Sequence, residues 1–133
     1  MKLAACALII LVMGCGGGAA AQPAAPQPAA AINISLTSYA FTPSTINLIA
    51  GTTYRLHLSN DGSRAHSFNA PEFFAASQIA PAGQSKVEDG KVELDGGEAL
   101  DLTVTPSRAG TYPLDCSHFM HSVLGMHGKI VVQ

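Results

Sequence analysis

The sequence predicts an all-β sandwich over residues 32–133, and three observations support this. Short segments alternate apolar and polar residues with a period of two. Gly, Pro, Asn and Asp, the residues of tight turns, separate those segments. No long stripe of helical period runs through the region.

The elements follow in order. Ile32, Ile34 and Leu36 alternate with Asn33, Ser35 and Thr37, the pattern of a half-buried strand. Phe41-Thr42-Pro43 reads as a turn, and Ile46, Leu48 and Ala50 resume the alternation before Gly51. Tyr54, Leu56 and Leu58 alternate with Arg55, His57 and Ser59, and Asn60-Asp61-Gly62 then tolerates the backbone angles of a turn. Residues 65–69 fit a short strand, Leu100, Leu102 and Val104 alternate up to Pro106, and residues 110–115 and 129–132 complete the set. Residues 71–91 break the pattern. Glu72-Phe73-Phe74-Ala75-Ala76 fits one helical turn and a Pro/Gly stretch follows, so this segment is expected to be a short excursion on the sandwich surface.

A chain of 133 residues accommodates one domain. Residues 1–31 are almost all Ala, Gly, Pro, Leu and Ile, and every acidic residue lies beyond them. The folding unit is therefore 32–133, long enough to bury roughly 60–70% of its unfolded surface. There is no Trp, so Ile, Leu, Val, Phe and Tyr must fill the core. The net charge is −2 and Lys and Arg form no cluster, which argues against nucleic acid as a partner. Glu88, Asp89, Glu93, Asp95, Glu98 and Asp101 crowd one stretch. That stretch reads as a solvated loop and strand edge, or as a docking face for a basic redox partner.

The N-terminus carries an export signal. Met1-Lys2 is positive, and Leu3 to Met13 is an apolar run too short to span a bilayer but of the length of a signal-peptide core. Val12-Met13-Gly14-Cys15 resembles a bacterial lipobox, which would make residues 1–15 a lipoprotein signal and Cys15 a lipid anchor. Ala19-Ala20-Ala21 before Gln22 offers an ordinary cleavage site instead. Either way the protein is expected outside the cytoplasmic membrane, in the periplasm or cell envelope. Residues 16–31 contain three prolines and no apolar face, and read as a tether.

The chain has three Cys. Cys6 lies in the signal and Cys15 at its end, so only Cys116 remains in the domain and no disulfide can form within it. A lone thiol in an oxidising compartment is a liability unless it is buried or bound. Residues 116–127 hold that thiol with His118, His121 and His127 and with Met120 and Met126. A loop that leaves one strand and enters the next brings its ends together. Cys116, His121 five residues on and Met126 five beyond that can therefore turn back to one point. A second imidazole must come from elsewhere, and His66, just past a turn, is the best candidate. His118, two residues after Cys116, competes with His121. Thiolate, thioether and two imidazoles select copper over calcium or magnesium, and a His₂Cys set with a long axial Met describes a blue-copper electron-transfer site. Zinc also takes two His and one Cys, but the Met argues against it.

Tyr39-Ala-Phe-Thr-Pro-Ser-Thr-Ile46, Gly51, Leu56-His-Leu-Ser-Asn60, His66-Ser-Phe68, Gly110-Thr-Tyr-Pro-Leu-Asp-Cys116 and Gly125-Met126-His-Gly128-Lys-Ile-Val-Val132 together resemble a bacterial cupredoxin. The resemblance covers essentially all of 32–133, and the Cys-x4-His-x4-Met spacing is similar to that of rusticyanin- and auracyanin-type members. It implies a Greek-key β-sandwich and one type-1 copper, with His66, Cys116 and His121 as equatorial ligands and Met126 as the axial one. There are two departures from the family. Ser67 stands where many members have an Asn that braces the loop and the Cys sulfur, so that support is expected to be weaker or to come from backbone. Phe119-Met120 stand where many have Pro, so a more mobile loop is expected.

The function these readings imply is a one-electron carrier. Cys116 would give the covalent electron path, and His121 would lie near the exposed copper edge. Redox proteins such as cytochromes or oxidases would be its partners, and the protein would be monomeric. The alternative is a periplasmic protein that sequesters or delivers Cu(I) through its extra His and Met. No nucleophile elbow is visible and a single type-1 site lacks the further copper centres of oxidases, so an enzyme is not expected. His127 is expected to face solvent at the copper end and His57 to be a plain surface-strand residue. Phe119, Met120, Phe73 and Phe74 are candidates for an apolar collar around the copper edge, or equally for ordinary packing against the 71–91 segment.

Overall fold

The computed structural model describes residues 28–133. The expected signal, Cys15 and the tether as far as residue 27 lie outside the described residues.

Ten strands and two short helices follow one another: β1 Ala30–Thr37, β2 Ala40–Thr42, β3 Thr45–Leu48, β4 Tyr54–Asn60, β5 His66–Asn69, α1 Pro71–Ala75, β6 Ser77–Ile79, α2 Pro81–Gln84, β7 Lys91–Leu94, β8 Ala99–Pro106, β9 Gly110–Asp115 and β10 His127–Val132. They form two five-stranded sheets, in the orders β2-β1-β4-β8-β6 and β3-β10-β9-β5-β7. The chain crosses between the sheets repeatedly, as the expected Greek-key sandwich requires. β1 lies parallel to β4 and β3 parallel to β10, and the other pairings are antiparallel.

Alternation is the cause. In β4, Tyr54, Leu56, Leu58 and Asn60 point inward while Arg55 is exposed. In β8, Leu102 and Val104 are buried beside them. Each fully buried Leu, Ile or Phe contributes about 1.5–3 kcal/mol of apolar transfer. Three short strands escape the sequence pattern. Ala40–Thr42, read as part of a turn, pairs with β1, and Ser77–Ile79 and Lys91–Leu94 join β8 and β5. β1 also begins at Ala30, two residues ahead of the point where its alternation starts.

The expectation of a surface excursion over 71–91 needs correction. Its outer residues are exposed, but Phe73 and Phe74 are buried in the core. They extend an aromatic row in which Phe41, Phe68, Phe74, Phe73 and Tyr112 meet in successive ring contacts of 5.5–6.2 Å. A helix of five residues is too short to reveal an inward face by periodicity. Gly90 fixes the return of the segment. Its φ is +74°, and a Cβ there would lie 2.4 Å from Pro71 Cα at the start of α1.

Phe73→Ala should therefore behave as a core truncation and lower stability by about 3–5 kcal/mol in denaturant unfolding. A loss near zero would return the segment to the surface.

Candidate metal centre

The site forms at one end of the second sheet. β9 ends at Asp115 and β10 begins at His127, and these two residues are paired in the ladder. Cys116 and Met126 are the next residues out, and the Cys116 N–H donates to the Met126 carbonyl at 3.3 Å. Inside the loop, the His121 N–H donates to the His118 carbonyl at 3.1 Å and the Met126 N–H to the His121 carbonyl at 3.1 Å. His66 opens β5, which pairs with β9 through Asn69 and Asp115. The Asn69 side-chain amide reinforces that pairing by donating to Asp115 Oδ1 at 2.6 Å.

Cys116 Sγ lies 3.4 Å from His121 Nδ1 and 3.9 Å from His66 Nδ1. All three donor atoms fall within 4.8 Å of one another. Two donors at 120° around a metal, with bonds of about 2.0 Å to nitrogen and 2.3 Å to sulfur, stand roughly 3.7 Å apart. The two sulfur–nitrogen distances bracket that value. Cys116, His66 and Met126 are buried, and His121 is half-buried at the rim. The donor chemistry and spacing fit one type-1 copper.

Ser67 takes the place beside the sulfur. Its N–H points at Cys116 Sγ at 3.4 Å and its hydroxyl lies 3.8 Å away. The same hydroxyl accepts the Ser117 N–H at 2.8 Å and pairs with the Ser117 hydroxyl at 2.9 Å. Both backbone and side chain thus brace the ligand loop. Asn60 prepares the turn before His66. Its amide donates to the Arg64 and Leu94 carbonyls at 2.8 and 3.0 Å and accepts the Gly62 N–H at 3.0 Å. The sequence marked Asn60 only as a turn residue.

His66 Nε2 is buried without a hydrogen-bond partner among the described residues. Burial first, and then the charges of His121 and His118, hold the His66 imidazole below the ordinary value of 6.5, with Glu93 opposing.

His118 stands apart from the three donors. Its Nε2 pairs with the Glu93 carboxylate, and its ring centroid lies 5.5 Å from that of His121. His127 is exposed at the start of β10. His57 lies on the outer face of β4, with Nδ1 2.7 Å from Asp101 Oδ1. The two readings of Phe119, Met120, Phe73 and Phe74 divide between the pairs. Phe73 and Phe74 belong to the core, because α1 turns them inward. Phe119, which is 90% exposed, and Met120 do face solvent, joined by Val123, Leu124 and Tyr39. The sequence reading gave Val123 and Leu124 no role, although two apolar residues beside a loop Gly were the available signal. In the acidic stretch, Glu88, Asp89, Glu93, Asp95, Glu98 and Asp101 are all exposed.

The sequence profile of the family described as "Cupredoxin-like domain" matches residues 4–132. The chain belongs to that family. Its fold is similar to that of auracyanin from Roseiflexus castenholzii (17% identity, 80% of this chain and 99% of that one, TM-score 0.57). Auracyanin A from Chloroflexus aurantiacus is also similar (20% identity, 77% and 99% covered, TM-score 0.53). So is one part of the McoA multicopper oxidase from Aquifex aeolicus (16% identity, 84% of this chain and 31% of that one, TM-score 0.63). At such identities the likeness is one of fold. No curated protein sequence matches the chain.

The lowered His66 value has a consequence for this cupredoxin without metal. The unfolded chain takes up the proton more readily than the folded one, so acid favours unfolding. The His66 contribution is fully present above pH 6.5 and is lost as the pH falls below it. The urea midpoint of the metal-free protein should be flat down to about pH 7 and fall by about pH 5.5, and His66→Gln should reduce that fall. Equal slopes in the two proteins would remove His66 as the cause.

Proposed function

We propose that this cupredoxin is an exported one-electron carrier that holds a type-1 copper through His66 Nδ1, Cys116 Sγ and His121 Nδ1, with Met126 as the axial ligand. The observation that carries this reading is the convergence of those three donors within 4.8 Å, with buried Met126 hydrogen-bonded through its carbonyl to the Cys116 N–H. Auracyanin A, similar in fold, is a "blue" copper protein. Bound there, copper supplies a couple between Cu(II) and Cu(I). The chain supplies the surroundings. Burial of Cys116, His66 and Met126 keeps water from the sulfur and limits exchange of the ion. Ser67 holds the sulfur in place through N–H and hydroxyl. His121 links the buried donors to the apolar rim, where a redox protein such as a cytochrome or oxidase would dock. Among the described residues this is the one group of His, Cys and acidic side chains with ligand-like spacing, and a one-electron carrier needs no second centre.

Residues 1–15 serve as the export signal, with Cys15 as the lipid anchor, and residues 16–31 as the tether, whose last two, Ala30 and Ala31, are taken up in β1. Intact mass of the exported protein should show a diacylated N-terminal Cys15. A chain beginning at Gln22 would replace the anchor with ordinary cleavage.

Addition of Cu(II) should give an intense thiolate-to-copper charge-transfer band in the visible, and Cys116→Ser should abolish it. Copper bound without that band would sink the carrier reading. It would favour Cu(I) sequestration or delivery instead, for which exposed Met120 and His127 would be the entry ligands.

A further inference from the structure

We propose that Tyr39 is a positioning residue for His121, an aromatic brace that fixes the orientation of the one donor ring standing at the rim. The inference deepens the copper reading and rests on it.

Tyr39 occupies a backbone conformation that its side chain disfavours. Its φ is 69°, in the left-handed region where a Cβ crowds the following carbonyl. Glycine would sit there freely. A bulky residue persists in such a position only when its surroundings hold it, and such positions concentrate at functional sites. The β1–β2 register sets the position, because Thr37 pairs with Ala40 and leaves Ser38 and Tyr39 as the connecting turn. Tyr39 is 40% exposed, so burial is a weak reason for a tyrosine there. What its ring does touch is His121. The centroids are 5.4 Å apart and the planes cross at 76°, the arrangement in which one ring's edge meets the other's face.

His121 is the donor that needs such support. Cys116 and His66 are locked by burial, whereas His121 rides on a loop whose Phe119, Val123 and Leu124 face solvent. The His118 ring also stands 5.5 Å from it at 35°, with its Nε2 paired to Glu93 of β7. The imidazole is therefore contacted by a residue delivered by the first sheet and by one tied to the second. These ring contacts add to the loop's own backbone hydrogen bonds in keeping its nitrogen aimed at Cys116. A site whose donors do not reorient is what a rapid one-electron couple requires.

Two variants of the full chain separate the brace from a folding role. Tyr39→Gly relieves the backbone and removes the ring, and Tyr39→Phe keeps the ring. Thermal unfolding and the NMR signals of the His121 ring are read in metal-free protein. The visible spectrum and the electron self-exchange rate are read after copper loading. Tyr39→Gly should unfold at the parent's temperature or above, yet broaden the His121 signals, alter the charge-transfer bands and slow self-exchange severalfold. Tyr39→Phe should match the parent in all four. A Tyr39→Gly protein with parental ring signals and self-exchange would overturn the proposal, as would one that melts far below the parent, since Tyr39 would then serve the fold. If the parent itself shows no charge-transfer band, the copper reading fails. The metal-free ring signals still report on the brace in that case.

Discussion

The hydrogen bond from the Cys116 N–H to the Met126 carbonyl, at the neck of the ligand loop, governs the site. It prolongs the β9–β10 ladder beyond its last pair, Asp115 with His127. Strand parity then orients both sulfurs. Tyr112 and Leu114 point inward from β9, so Cys116 does too, and Ile130 and Val132 point inward from β10 in phase with Met126. A slip of one residue would turn a sulfur outward and a core side chain with it. The position of the soft donors is thus protected by the same apolar burial that holds the second sheet together.

The imidazole of His66 depends on a different set of contacts. It belongs to β5, which touches β9 through one registered pair and β7 through four. Polar groups make up for the thin contact with β9. Asn60 ties the preceding turn to the Leu94 carbonyl, and Ser67 ties β5 to Ser117 in the ligand loop. Buried polar groups stabilise only when they are satisfied. Asn60 and Ser67 are satisfied, and His66 Nε2 is the exception. A metal-bound imidazole ordinarily donates its second N–H to an acceptor; among the described residues none serves His66 Nε2, and packing holds this ring.

Much of this was legible in the sequence, and the rest was hidden by distance along the chain. Cys116, His121 and Met126 share one loop, so their spacing alone suggested convergence. His66 stood out because it opens a short strand just past a turn. The long strands announced themselves by alternation. The partners of Asn60 and Ser67 lie 34 and 50 residues away, and no local pattern encodes such pairings. The same holds for Glu93 with His118. Strands of three or four residues, such as β2 and β6, offer too little alternation to detect. Phe73 and Phe74 stayed undecided because an apolar pair in a short helix looks alike from sequence whether it covers a core or a binding edge.

Topology also relates the rim to the point where the chain enters. Ala30 pairs with Tyr54 at the start of β4, and Leu36 pairs with Asn60 at its end, beside the turn that leads to His66. β1 therefore begins at the pole opposite the metal centre and climbs about 26 Å along its eight residues. On the proposed reading, a lipid on Cys15 would hold the far pole, and the rim of Phe119, Met120, Val123 and Leu124 would face away from the bilayer.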